Sequence, residues 1–234
     1  MSFSKSLTKL SAITIGVVLI SGTTTAHSSV IAFSDRTVWS SAVGGPVATE
    51  DFESFNSIQE FVTNPVSILN GSIQRVNSSI PEALPFNRIS AEPGGFGGDY
   101  DVNGTIQVNA RIDNFVANTS DARVRLDFTT GVSAWGADFR SISTTNTVLD
   151  IFDAGDVLIG SVTAPIRDAF FGFNLDAGEV AASIQFRYLA DSQDLFAFDD
   201  MSFVAAPSIP ESSTLTIFAL GLAALGIARR KTAI

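Results

Sequence analysis

The residues of this 234-residue chain that could do chemistry are almost all carboxylates, because it holds no cysteine and a single histidine, His27. If cleavage follows Ser28, the remaining body has neither histidine nor cysteine, and Ser-His-Asp and Cys-His nucleophiles and histidine- or thiolate-ligated zinc lack their parts. No phosphate-cradling glycine motif is followed by Lys, and no dinucleotide fingerprint sits between a strand and a helix. Two groups of oxygen donors stand out. Asp99, Asp101 and Asn103 alternate ahead of Gly104, a tight turn of hard donors that suits Ca²⁺. Ala110 stands where an EF-hand places its closing Glu, so this is not an EF-hand, and the plain alternative is an Asp/Asn/Gly turn leading into a strand. Asp51 and Glu53 lie early, and Asp199 and Asp200 late. The adjacent late pair repels unless a cation or an arginine lies between its members. Two carboxylates could also hydrolyse a glycoside, but in so acidic a chain some pair always has suitable spacing. Trp39 and Trp135 could stack on sugars; the reading preferred here packs Trp39's helix onto the body and buries Trp135 in the core.

The elements that must position these groups are mostly strands. Residues 34–43 form the one helical stretch, capped by Ser34, with Val38, Trp39, Ala42 and Val43 on one face. Residues 44–46, Gly-Gly-Pro, end it. Residues 66–76 read as a hairpin around Asn70-Gly71, a dipeptide that tolerates the positive φ angles of a tight turn. Residues 81–98, with three prolines and four glycines, read as a long irregular loop. Strands are expected at 105–109, 122–128, 133–139, 148–152, 157–162, 169–173, 183–188 and 195–204. In the seventh of these, Ile184, Phe186 and Tyr188 alternate with Gln185 and Arg187, the pattern of a strand with one buried face. Residues 153–156 turn between two strands as a second hairpin. Many short strands, regular turns and almost no helix predict an all-β fold: an antiparallel β-sandwich, jelly-roll-like, with one short N-terminal helix. No internal repeat is visible.

Both ends read as targeting segments. Lys5 and Lys9, the apolar run 10–20 and the small residues 21–28 form a secretory signal peptide. Ala26 and Ser28 suit cleavage before Ser29, and Thr24 and Ala26 suit an alternative start at His27. At the other end, residues 207–234 carry Pro210-Glu211, an uncharged apolar segment 212–228 of roughly the minimum length for a membrane-crossing helix, and the cluster Arg229-Arg230-Lys231, which stays on the cytoplasmic side. The body is then residues 29–206, long enough for a sizeable core. It keeps 9 of the 14 basic and 23 of the 24 acidic residues, a charge near −14 with no lysine. That charge repels nucleic acid and anionic lipid and favours divalent cations or neutral glycans. Most of the 19 phenylalanines are expected in the core, since they carry no polar handle.

The order Pro-Glu, Ser-Thr-Leu, Gly-rich apolar helix and Arg cluster resembles the PEP-CTERM sorting signal. The resemblance covers the last ~25 residues and departs from the pattern at Ser212, where Pro is usual. It implies export, recognition by an exosortase and the secretion machinery, and cleavage near Pro210-Glu211. Arg229 and Arg230 then belong to the sorting signal, and the protein is held at the membrane only until the helix is removed. The body is similar to β-sandwich domains joined to such signals, through Asp51-Phe52-Glu53, residues 135–139 and residues 198–203. Carbohydrate-binding jelly rolls show a similar Phe-Glu near the first strand and Asp-Asp before the last. That likeness implies structural Ca²⁺ at Asp51, Glu53, Asp199 and Asp200. The resulting expectation is a non-enzymatic protein of the cell envelope or extracellular matrix. The alternative is a lectin-like module that binds exopolysaccharide, and a carboxylate-based glycoside hydrolase trails both.

Overall fold

The computed structural model describes residues 29–77, 86–90, 106–115, 121–140, 142, 145–166 and 168–206. Both targeting segments and the Asp99/Asp101/Asn103 turn lie outside these residues. Among the described residues no helix is long and apolar enough to cross a membrane.

The fold is antiparallel and nearly all β. Its elements, in chain order, are β1 (Val30–Phe33), α1 (Arg36–Ala42), β2 (Ala48–Glu50), β3 (Gln59–Glu60), β4 (Val66–Ile68), β5 (Gly71–Val76), β6 (Arg88–Ser90), β7 (Gln107–Asp113), β8 (Arg123–Arg140), β9 (Thr147–Phe152), β10 (Leu158–Thr163), β11 (Ala169–Leu175), β12 (Ala181–Tyr188) and β13 (Gln193–Ala205). β8 organises the rest. Its first half pairs with β5 on one side and β12 on the other, and its second half pairs with β11 and β13. A first sheet thus runs β4-β5-β8-β12-β9-β10, and a second runs β1-β11-β8-β13-β7-β6-β3, with β2 also on β13. The chain passes repeatedly from one sheet to the other, as in a jelly roll.

Inward side chains of both sheets share one core. Phe186 of the first sheet reaches Trp135, Phe139, Phe196 and Phe198 of the second, with ring centroids 6.0, 5.8, 5.2 and 6.0 Å away. Trp135 is fully buried, as expected. Helix α1 lies on the outside of the second sheet. There Trp39 packs with Phe170, Ala134 and Val204 and donates from Nε1 to the carbonyl of Phe173 at 3.1 Å.

Several local expectations are corrected. The helix is capped by Asp35, whose side chain accepts from Val38 N at 2.9 Å, not by Ser34. Val38 and Ala42 are exposed, and the packed face is Arg36, Trp39 and Val43. Stretches 122–128 and 133–139 are one strand, β8, and β6 lies within the expected loop 81–98. The hairpin turn is also displaced by one residue. Gly71 pairs with Ile68, leaving Leu69-Asn70 as the turn, with the positive φ of 61° at Asn70. Gly71 is needed for another reason: a Cβ there would lie 1.9 Å from the carbonyl oxygen of Asp127. The second hairpin forms as read, with Asp153 Oδ1 accepting from Gly155 N and Val157 N at 2.8 and 2.9 Å.

Candidate functional site

The sheet topology brings together the early and late acids singled out in the sequence, since Glu50 faces Met201 and Thr49 faces Ser202 across β2 and β13. Their carboxylates take separate jobs, however. Asp51 Oδ1 accepts from Glu53 N at 3.2 Å, Glu53 Oε1 from Ile106 N at 2.9 Å, and Asp199 Oδ1 from Asp200 N at 2.7 Å. Among the described residues no group of three or more His, Cys, Asp or Glu is arranged to hold a metal ion.

The positive charge beside the late acids is Arg36 of α1. Between Asp199 and Ser202 the register of β13 against β8 slips by one residue, and Asp200 takes up the extra step with φ of 47°. Arg36 closes over this bulge. Its Nη2 donates to the Asp200 carbonyl at 2.8 Å, its Nη1 donates to Ser202 Oγ at 2.7 Å, and it pairs with Asp138 at 3.3 Å. The guanidinium also lies 4.8 Å from the centroid of the Phe170 ring. Arg36 therefore meets Asp200 through its backbone carbonyl and forms its ion pair with Asp138.

A second polar construction emerges only from strand register. On the outward face of the first sheet Gln74, Arg125, Gln185, Asp150 and Ser161 stand opposite one another in sequence across β5, β8, β12, β9 and β10. The adjoining row is Ser72, Asp127, Ser183, Phe152 and Leu158. The charges on this face are bonded to one another. Arg125 donates to Asp127 Oδ1 at 2.7 Å and pairs with Asp156 at 2.9 Å, while Gln74 Nε2 donates to Asp127 Oδ2 at 2.7 Å. Arg187 and Ser161 both donate to Asp150, and Arg123 pairs with Asp121. Burial lowers the Arg125 pKa, but the hydrogen bonds and charges of Asp127 and Asp156 outweigh it and hold the group above its ordinary value. Arg125 also lies over the half-buried Phe152 ring, 5.8 Å from its centroid. Gln185 and Ser183 are almost fully buried between these neighbours, and the Ser183 hydroxyl has no hydrogen-bond partner among the described residues.

Of these residues the sequence marked only Gln185 and Arg187, as the polar side of a strand, and Asp156, as part of the second hairpin turn. The outward positions of Arg123-Val124-Arg125-Leu126-Asp127 carry the same alternation, which was the available signal. What it lacked was the identity of the neighbouring strands.

The early acids hold a strained loop. Phe52, fully buried, has a φ of 56°, a left-handed conformation that costs a bulky residue about 1–3 kcal/mol. Glu50 holds it in place, accepting from Phe52 N at 3.0 Å through one carboxylate oxygen and from Leu69 N at 2.7 Å through the other.

No family model matches the chain. No curated protein matches it either. Among solved structures it is similar to the family 11 carbohydrate-binding module of the cellulosomal cellulase Lic26A-Cel5E of Clostridium thermocellum, with a TM-score of 0.38 and 10% identity over 70% of this chain and 97% of that one. A second is the family 11 module from Clostridium thermocellum in complex with a β-1,3-1,4-mixed-linked tetrasaccharide, with a TM-score of 0.34 and 10% identity over 70% and 98% of the two chains.

Proposed function

We propose that this chain is an exported, non-enzymatic β-sandwich that binds a neutral polysaccharide across the outward face of its first sheet. The observation that carries this reading is the row from Gln74 to Ser161. At an inter-strand spacing of about 4.8 Å it runs about 19 Å, enough for several sugar units in line. Three of the body's nine arginines are gathered here, on a body that is otherwise strongly acidic, and each is bonded to an aspartate of the same face. Such a face offers amide, hydroxyl and guanidinium donors with little net field. It therefore suits a ligand rich in hydroxyls and without charge. The Phe152 ring adds an apolar surface for a sugar's C–H face. The carboxylates here are engaged by arginine, serine and glutamine partners, which supports binding over hydrolysis.

Affinity electrophoresis of the intact chain through gels containing a β-glucan, a xylan or a galactomannan tests the reading. At least one polymer should retard the protein, and Arg125→Ala should weaken that retardation about tenfold or more, because it removes a charge-assisted donor and releases Asp127 and Asp156. Gln74→Leu, in the same row and half-buried, should do the same without removing charge. Equal mobility in every gel, or retardation that both variants keep, would show a merely solvated face and sink the proposal.

Export through an exosortase is proposed on the tripartite tail of residues 207–234 and the signal peptide of residues 1–28. Intact mass of the protein from an exosortase-bearing cell should then correspond to a chain starting near Ser29 and ending near Glu211. A mass that still includes residues 215–230 would leave an ordinary membrane anchor.

A further inference from the structure

We infer that two copies of this chain pair through the open edge of β10, joining their first sheets across a two-fold axis. β10 ends the first sheet: it bonds to β9, and no described strand pairs with its other side. Ala164 N donates to the Thr147 carbonyl at 3.0 Å. Backbone groups along an antiparallel strand point to one side and the other in turn. Val162 therefore also directs its N–H and C=O to β9, while Ser161 and Thr163 direct theirs to the open edge. Such a row is a template for another strand unless charges, proline or a bulge blunt it.

The devices that blunt an edge stand only at the two ends of this one. A register shift lies between Leu158 and Gly160, and Pro165 follows the strand. Between them residues 161–163 keep a regular ladder with β9 and an exposed Ser161 and Thr163. No side chain of residues 157–166 is charged, and Val157, Leu158 and Ile166 are exposed. Ile31 of β1 is exposed on the same side of the molecule, since its neighbour Val30 packs against Gly160, where a Cβ would lie 2.5 Å from Val30 Cγ2. Several large apolar side chains thus flank an unpaired strand, the mark of an interaction surface.

Charge and symmetry select the occupant. A body near −14 repels a second copy across its acidic surface, but two copies meeting along this uncharged edge keep their acids apart. The edge is also complementary to itself. A two-fold axis through Val162 sets Ser161 opposite the partner's Thr163 and Thr163 opposite the partner's Ser161, which pairs every edge-facing N–H and C=O of these residues. Sliding one strand by two residues would draw Ile159, inside the bulge, into the ladder, so the bulge fixes the register. Contact between like patches closes on itself and stops at two copies. On the polysaccharide reading above, it also sets two binding faces side by side on one continuous sheet; the pairing itself does not rest on that reading.

Because the chain has no cysteine, a single introduced thiol reports the pairing. In this register Val162 meets the partner's Val162 as a non-hydrogen-bonded pair, with Cα atoms about 4.5 Å apart, within the span of a disulfide. The full chain carrying Val162→Cys, purified in mild detergent and oxidised, should run on non-reducing electrophoresis at twice its mass and return to monomer with reductant. Val38→Cys, exposed on α1 outside the second sheet, should stay monomeric. Thr163→Pro removes an N–H that the protein's own sheet does not use, and Thr163→Lys adds a charge while keeping every backbone group. Either one, added to Val162→Cys, should cut crosslinking about tenfold or more and leave the melting midpoint close to that of Val162→Cys alone. No dimer from Val162→Cys, equal crosslinking from Val38→Cys, crosslinking that both position-163 variants keep, or a crosslinked mass other than twice that of the chain would overturn the pairing.

Discussion

Phe186→Ala should destabilise the folded chain by about 3–5 kcal/mol, the cost of removing a large buried ring and leaving part of its volume empty. Phe186 is fully buried and is the point where the first sheet meets the aromatic floor of the second, in contact with four rings. Each such ring pair is worth about 0.5–1.5 kcal/mol beyond the area it buries. The neighbours cannot close the gap cheaply, because Trp135, Phe139, Phe196 and Phe198 are placed by strands whose register is fixed on both sides. Denaturant melts should show the loss as a lower midpoint with little change in slope. Phe186→Leu should recover part of it. A loss below about 1 kcal/mol for the alanine variant would mean that the sheets do not meet through this ring.

Arg36→Ala should cost about 2–3 kcal/mol, less than the sum of its bonds because the guanidinium is partly open to solvent. The arginine donates to the Asp200 carbonyl in the left-handed bulge, which the Ser202 hydroxyl also approaches at 3.1 Å, and it holds Ser202 and Asp138 as well. Its removal withdraws positive charge from a strand pair on which Asp138 and Asp199 stand directly opposite each other. Like charges so placed destabilise a sheet. A melting midpoint within a degree or two of wild type would show that the clamp contributes little.

The same melts, run in calcium and in chelator, test the proposal that Ca²⁺ is held at Asp51, Glu53, Asp199 and Asp200 or at the Asp99/Asp101/Asn103 turn. An ion bound only by the folded chain raises the midpoint. No shift in wild type would dispose of both sites, and a shift abolished by Asp101→Ala but kept by Asp200→Ala would place the ion at the turn.

Alternation made the long strands readable in the sequence: Ile184, Phe186 and Tyr188 against Gln185 and Arg187 carries both the strand and its buried face. Strands of two to four residues, such as β1, β2, β3 and β6, are too short to show a period. The continuity of β8 was hidden because Thr129-Thr130-Gly131 reads as a break. In the structure Asn70 spans that bend, its Oδ1 accepting from Thr130 N and its Nδ2 donating to the Thr130 carbonyl at 2.9 and 2.8 Å. Charge was legible locally but its partners were not. The residues that engage Arg36 lie 102 to 166 positions away along the chain, and the row from Gln74 to Ser161 exists only once five strands are in register. Gly71 was noticed for its place beside Asn70, whereas its indispensability comes from a carbonyl on another strand.

The pairing of early strands with late ones also governs when the chain can fold. β1 finds its partner in β11 and β2 in β13, while β8 waits for β11, β12 and β13 to flank it. A chain delivered amino end first, whether from a ribosome or through a narrow pore, can close the hairpin of β4 and β5 and add the first half of β8. It cannot complete the first sheet until residue 188 is free, nor the second until residue 205 is. Such delayed closure is slow and leaves apolar strands exposed meanwhile. It also keeps the polypeptide threadable until almost all of it has crossed, so the topology that makes folding late is the one that makes passage through a membrane easy.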